Sequence, residues 1–213
     1  MNRYDLQVHT EVSPCSEAAP ADIVDAALDA GLTGIAITDH DTLDGYAAVE
    51  RVAPPELTVI PGVEVTTTRG HMLALGVQTV PPRSDPVDVV ADIHSQGGLA
   101  VMSHPFDRLR DHYTDDLDRL AERVDGAETV NSRCLLPRFN RSARSYAETH
   151  GLASVGGSDA HFPMEVGRAY TECQGDLFAA IRTGRTQPAG RGGYVSGHVA
   201  TKASAIASWL SGE

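Results

Sequence analysis

Six short apolar segments of this chain each meet a polar cluster at one end, and that repetition restricts the possible folds more than any other feature of the sequence. In the first, Tyr4-Asp5-Leu6-Gln7-Val8-His9-Thr10, the apolar Tyr4, Leu6 and Val8 alternate with Asp5, Gln7 and His9, the period of a strand with two differently occupied faces. The others carry Thr38-Asp39-His40-Asp41, Gly62-Val63-Glu64, Gly70-His71, Ser103-His104-Pro105 and Gly157-Ser158-Asp159-Ala160-His161. A single histidine at a strand end is readily a satisfied, partly buried residue. A set spread evenly from His9 to His161 asks for a common purpose.

Between these segments the spacing predicts helices. Pro20 to Ala30 carries Ile23, Val24, Ala27 and Leu28 on one face and stops at Gly31. Gly45 to Ala53 follows, then a helix with Asp85 as N-cap and Pro86 at its first position, ending before Gly97. Further helices are expected over about Asp115 to Val124, Pro137 to His150 and Asp176 to Thr183, with an amphipathic tail from Ala203 to Leu210. Seven strands alternate with them: Tyr4 to Val8, Gly34 to Thr38, Leu57 to Val65 through Pro61, Met72 to Val77, Leu99 to Met102, Ala127 to Val130 and Ala153 to Val155. The brief turn at Thr68-Arg69-Gly70 leaves both an antiparallel pair and a tight crossover open for the third and fourth strands. The chain has 213 residues, 41% of them apolar, which suits one α/β domain over residues 1 to 213. Parallel barrels and open doubly wound sheets both bind ligands at the carboxyl ends of their strands. An open sheet, however, serves its ligand from two or three strands at one switch point, whereas here six of seven ends contribute a histidine or carboxylate. Only a closed ring brings six ends to one centre.

Charge and cysteine content narrow the function. A net charge of -12 repels nucleic acid and anionic membrane surfaces over the molecule as a whole, while a local basic patch can still hold a small anion. No apolar run approaches eighteen residues and no charged-then-apolar leader opens the chain, so the expected location is the cytoplasm, with no membrane partner. Cys15, Cys134 and Cys173 are odd in number and form no CxxC pair, which argues against a disulfide framework and a structural zinc knuckle.

The strand-end residues pool to His9, His40, Glu64, His71, His104, Asp159 and His161, five imidazoles and two carboxylates. That donor set suits zinc, manganese or iron, and it is too large for one such ion but reasonable for two or three. Neighbouring metals about 3.5–4 Å apart can activate water and neutralise both the attacking and leaving oxygens of a phosphoryl transfer. Hydrolysis of a phosphate ester is the chemistry that gains most.

At this point the residues carry a resemblance. Asp5-Leu6-Gln7-Val8-His9-Thr10, Ile37-Thr38-Asp39-His40-Asp41-Thr42, Pro61-Gly62-Val63-Glu64, Gly70-His71-Met72-Leu73, Ala100-Val101-Met102-Ser103-His104-Pro105 and Gly157-Ser158-Asp159-Ala160-His161 resemble, in order, the motifs of the PHP (polymerase and histidinol phosphatase) superfamily of metal-dependent phosphoesterases. The match runs from about residue 4 to residue 170. It implies a distorted seven-stranded, TIM-like β/α barrel holding up to three divalent ions. By that likeness His9, Glu64 and Asp159 would hold the first ion, Glu64 would bridge to a second on His71 and His104, and His40 with His161 would hold a third. Glu64 and Asp159 are thereby catalytic candidates as well as ligands.

Two positions depart from the family pattern. A histidine usual at position 7 is Gln7 here, and a neutral amide is a much poorer ligand than imidazole, so the first site should be weak, differently filled or empty. Position 15, often histidine, is Cys15, whose thiolate would complete the third site and favour zinc, or whose thiol packs behind Pro14. Asp39 and Asp41 flank His40 as candidates to orient its ring, to protonate the leaving oxygen, or simply to cap the next segment. Arg133, directly after the sixth strand, is placed for a bidentate phosphate contact, and Arg138, Arg141 and Arg144 line one face of the helix that follows. Arg168 resembles a substrate-side arginine of the family. The expected activity is hydrolysis of a small phosphomonoester such as a nucleotide or sugar phosphate. A nuclease working on an oligonucleotide end, and a metal-binding module that has lost catalysis, are the alternatives.

Overall fold

The computed structural model describes residues 1–193, so the tail expected at Ala203 to Leu210 lies outside the described residues. In chain order the elements are β1 (Asn2–Val8), α1 (Pro20–Asp29), β2 (Gly34–Ile37), α2 (Asp44–Val52), β3 (Thr58–Thr66), β4 (His71–Leu75), α3 (Pro86–Ser95), β5 (Leu99–Ser103), α4 (Leu117–Ala121), β6 (Gly126–Asn131), α5 (Pro137–His150), β7 (Ala153–Gly157), β8 (Ala169–Cys173), α6 (Leu177–Arg182) and β9 (Thr186–Gly190). The strands form a single nine-stranded sheet in the order β7-β6-β5-β4-β3-β2-β1-β8-β9.

That sheet curls into a nearly closed barrel, but it has nine strands of mixed direction where seven were expected. β8 runs antiparallel to β1, and β9 antiparallel to β8. Neither has the continuous apolar run of a strand covered on both faces. β8 alternates buried with half-buried residues, and β9, Thr186-Gln187-Pro188-Ala189-Gly190, is largely uncovered. A proline is tolerated there because β9 is an edge strand. The same sequence properties that make β9 an acceptable edge hide it from a search for hydrophobic periodicity.

The open question about the third and fourth strands resolves as an antiparallel pair, Thr66 opposite His71, and β4 is antiparallel to β5 as well, His71 opposite Ser103. The ring closes at the end where the polar clusters lie. Val8 bridges to Ala160, and His9 N donates to Ala160 O at 2.9 Å. Lower down, Gly156 N donates to Thr171 Oγ1 at 2.9 Å, and that hydroxyl donates back to Gly156 O at 3.0 Å, tying β7 to β8.

Residues from seven strands around the ring, among them Leu6, Ala36, Ile60, Leu73, Val101, Val155 and Cys173, meet in one buried cluster with Leu177 and Ile181 of α6. Such a meeting fills the barrel and plugs the end away from the polar clusters. Two further clusters seal the outside: Val63, Met72 and Ala74 under Val89 and Ile93 of α3, and Val8, Ile35 and Ile37 under Ile23 and Val24 of α1. A register irregularity in β1 between Asp5 and Val8 sends Leu6 to the interior and Val8 to the outer layer. α4 is shorter than the expected Asp115 to Val124; it starts late because Asp116 takes a left-handed φ of 54° that no helix can include.

Candidate metal centre

The antiparallel β3–β4–β5 stretch explains how His71 joins the others. His71 opens β4 rather than ending a strand, but β4 runs against its neighbours, so its first residue lies level with the last residues of β3 and β5. Glu64 near the end of β3 and His104 just after β5 then face it.

Glu64 is the hub. Its Oε1 lies 3.3 Å from His71 Nδ1 and 3.2 Å from His104 Nε2, and its Oε2 lies 3.1 Å from His9 Nε2 and 3.6 Å from His40 Nδ1. Ser103 Oγ donates to Oε1 at 2.9 Å and fixes the carboxylate. Asp159 Oδ1 stands 3.4 Å from His9 Nε2 and 3.6 Å from His161 Nδ1. The ring centroids of His9 and His161 are 4.4 Å apart, and those of His71 and His104 5.5 Å.

Among the described residues three groups bring their ligand atoms within 4.8 Å of one another: Glu64 with His71 and His104, His9 with His40 and His161, and His9 with Glu64 and Asp159. The surroundings suit cations. His9 Nε2 and His71 Nδ1 are buried without a hydrogen bond although carboxylate oxygens stand close by, as expected where donors converge on a shared point rather than on each other.

Most of these groups are shifted toward the form that ligates, while His71, despite its burial, is shifted up by the Glu64 carboxylate. Burial pushes the Glu64 carboxyl up, but His40, His71 and His104 outweigh it and hold it well below the usual range. At Asp159 burial is likewise outweighed by Arg110, His9 and His161. Burial holds the imidazoles of His40, His104 and His161 below their ordinary value. Burial also pulls on His9, yet the carboxylates of Asp159 and Glu64 beside it carry it up to about 10. Ionised carboxylates and neutral imidazoles are the ligating forms, and the proton on His9 occupies a place that a cation would contest.

A cleft of about 310 Å³ opens onto this centre, and Cys15, Arg133 and Arg110 are in its walls. Cys15 belongs to none of the three groups, and burial, with the nearby Asp159 and Glu64, pushes its thiol up to about 12. Arg133 is buried, its Nη1 3.6 Å from Glu165 Oε2. Arg168 is not among the residues lining the cleft; its backbone N donates to Glu165 O and its carbonyl accepts from Arg191 N.

Asp39 is placed beneath the cleft rather than in it. It is 1% exposed and accepts from Thr10 N at 2.8 Å, Thr10 Oγ1 at 2.8 Å and Ser13 Oγ at 2.6 Å. Ser13 Oγ in turn accepts from His40 N at 3.2 Å and stands 3.5 Å from His9 Nδ1. The carboxylate so occupied clasps the loops that carry His9 and His40. Asp41 Oδ1 accepts from Thr66 N at 2.7 Å, which ties the same loop to β3.

Several residues of the site carried no motif. Arg110 forms an ion pair with Asp159 and also holds Asp107 and Asn131. Asn131 Nδ2 is within reach of Gln7 Oε1, Glu128 Oε2 and Asp159 Oδ2 at 3.2, 2.9 and 3.1 Å. Glu128 is 1% exposed, and burial pushes its carboxyl well above the ordinary range. Position on the loop that follows Ser103-His104-Pro105 was the available signal for Arg110; Glu128 and Asn131 had none beyond lying on a strand. A larger hollow, about 650 Å³, lies at the opposite end beside Met1 and Asp176, away from every group named above.

Comparison with known proteins agrees with this architecture. A family model described as PHP-associated matches residues 137–186, from α5 into β9. An uncharacterised protein of Methanocaldococcus jannaschii is 33% identical over 174 residues, covering 79% of this chain and 69% of that one. Among solved structures, a candidate metal-dependent phosphoesterase from Bifidobacterium adolescentis superposes with a TM-score of 0.64 at 20% identity, over 76% of this chain and 88% of that chain. The lesion-specific endonuclease of Pyrococcus furiosus does so with a TM-score of 0.62 at 15% identity, over 85% and 55%. At such identities the structural likeness speaks for the fold, and the family follows from the sequence relative, the matched model and the ordered motifs taken together. The chain belongs to the PHP superfamily.

Proposed function

We propose that this protein is a metal-dependent phosphoesterase that hydrolyses a small phosphomonoester such as a nucleotide or sugar phosphate. The observation that carries this reading is the placement of Glu64, with four imidazole nitrogens between 3.1 and 3.6 Å from its two oxygens. Glu64, His71 and His104 would hold one divalent ion, and His9, His40 and His161 another. When bound, such ions activate a water as nucleophile and neutralise charge on the phosphoryl oxygens. The chain's own residues do the rest. Arg133, in the cleft wall, supplies a planar pair of donors matched to a phosphate. Glu165 sets its direction. Asp39 acts through Ser13 and Thr10 as a positioning residue, since its oxygens are already taken by three donors and none is left to pass a proton to a leaving group.

A second reading has its own observation. Phe106, Arg108, Arg138, Phe139 and Ser142 line a hollow of about 370 Å³, and aromatic faces interleaved with arginines are the surface that single-stranded nucleic acid binds. A nuclease acting on an oligonucleotide end would use the same centre with that hollow as its track. Assays of a generic aryl phosphate, a nucleoside monophosphate and a short labelled RNA, each with manganese or zinc and with chelator, separate these readings. Chelator-sensitive turnover of the monoesters supports the first. Turnover of RNA alone supports the second, and none on any substrate with ions bound would leave a metal-binding module.

A further inference from the structure

Arg110 brings into the centre a positive charge that the metal motifs do not include. It reaches in from the loop after β5 and forms an ion pair with Asp159 Oδ2. Its Nε lies 3.0 Å from Asp107 Oδ2 and its Nη2 3.2 Å from Asn131 Oδ1. Asp107 is itself 1% exposed, so the guanidinium is fixed on three sides: by Asp107 of its own loop, by Asn131 at the end of β6 and by Asp159 just after β7. A planar cation held this way cannot swing aside cheaply.

The three groups of converging ligands cannot all be filled. His9 belongs to two of them, while its Nδ1 is turned to Ser13 Oγ at 3.5 Å. A third ion would sit at the corner formed by His9, Glu64, Asp159 and residue 7. Gln7 offers that corner nothing: its Oε1 is turned to Ser103 Oγ at 3.3 Å and Asn131 Nδ2 at 3.2 Å, and its buried Nε2 has no hydrogen-bond partner. Asp159 has already committed Oδ2 to Arg110 and Asn131. A dication placed there would also stand against a fixed guanidinium in a buried setting, where like charges repel strongly. The residues present do not fit an ion at this corner.

We propose that Arg110 is the resident cation of this corner, supplying from a side chain the positive charge that a third divalent ion would otherwise bring, so that the protein holds two ions. Gln7 and Arg110 form a matched pair. Removing the imidazole empties the corner of a ligand, and the guanidinium neutralises the Asp159 carboxylate that would be left exposed to Glu64.

Metal content of the full chain after loading with manganese or zinc and removal of excess tests this, with calorimetric titration alongside. Wild type should hold about two ions per chain, and Gln7→His alone should stay at about two because Arg110 still occupies Asp159. Gln7→His with Arg110→Ala should rise to about three. Gln7→His with Arg110→Gln, which keeps a hydrogen-bond donor for Asp159 without the charge, should do the same and guards against misfolding of the alanine variant. Three ions in wild type, a third ion gained by Gln7→His alone, or no third ion in either folded double variant would each overturn the proposal. If neither double variant folds, the wild-type count still decides. The inference rests on the metal reading of the preceding section but not on the substrate: a protein that takes up no ion at all would fail that reading, whereas three ions in wild type fails this one alone.

Discussion

At the scale of single residues, the site is built on backbone that most side chains avoid. Asp41, His104 and Asp159 have φ values of 53°, 27° and 57°, in or near the left-handed region and costing roughly 1–3 kcal/mol each. Specific bonds offset the cost: Asp41 Oδ1 takes Thr66 N at 2.7 Å, and His104 N donates to Glu128 Oε2 at 2.9 Å. Three strand ends are thus bent so that their side chains converge. Glu128 offers a test of how that support works. Burial and the nearby Asp159 charge keep its carboxyl protonated in the fold. In the unfolded chain it ionises above a pKa of about 4.3, so over that range the folded state binds the extra proton and stability falls as pH rises. The loss is about 1.4 kcal/mol per pH unit until the folded group also ionises. Glu128→Gln keeps an acceptor for His104 N and Asn131 and has no proton to lose. Its Tm in the metal-free protein should therefore gain on wild type between pH 5 and pH 8; a constant difference would mean that Glu128 is ionised in the fold. At Arg133 the expectation is kinetic. Arg133→Ala should raise KM about 10- to 100-fold, the range of a charge-assisted contact, with metal content unchanged, and unaltered kinetics would discard its role.

At the scale of elements, the first turn of α2 is pressed against the loops that carry His9 and His40. A Cβ added at Gly45 would stand 2.0 Å from Asp39 Oδ2 and 2.5 Å from Thr10 Oγ1. Helix propensity favours alanine over glycine by about 1 kcal/mol, but opening the clasp among Asp39, Thr10 and Ser13 sacrifices buried hydrogen bonds and forces a shift worth more than that. Gly45→Ala should lower unfolding free energy by about 1–3 kcal/mol in a denaturant titration and weaken metal binding at His9 and His40; a rise in stability would show that the clasp yields freely. The same elements show what was legible. Strands such as Gly34–Ile37 and Leu99–Ser103 are buried throughout, and their unbroken apolar runs announced them. Asp85 does cap α3 through Val87 N at 3.1 Å, as its place before Pro86 suggested. β8 and β9 escaped notice because a half-covered strand, at the sheet edge or beside it, needs no apolar run. The ligand candidates stood out by residue type at strand ends. Arg110, Asn131 and Glu128 did not, because their contacts arise only when β5, β6 and β7 are brought side by side.

At the scale of the molecule, an acidic chain of net charge -12 sets two arginines, Arg110 and Arg133, in the wall of the cleft that the candidate ligands line. No helix among the described residues is long and apolar enough to cross a membrane. Barrel closure at Val8 and Ala160 holds the ends of β1 and β7 together, and α6 plugs the opposite end with Leu177 and Ile181, which makes the polar end the one place where ligands from six strands can meet. Anomalous diffraction from crystals grown with manganese or zinc tests that claim most directly. Two peaks should lie in the cleft, one about 2.0–2.3 Å from ligand atoms of Glu64, His71 and His104 and one similarly placed against His9, His40 and His161. An absence of peaks in the cleft, or ions bound only at sites remote from Glu64, would contradict the account.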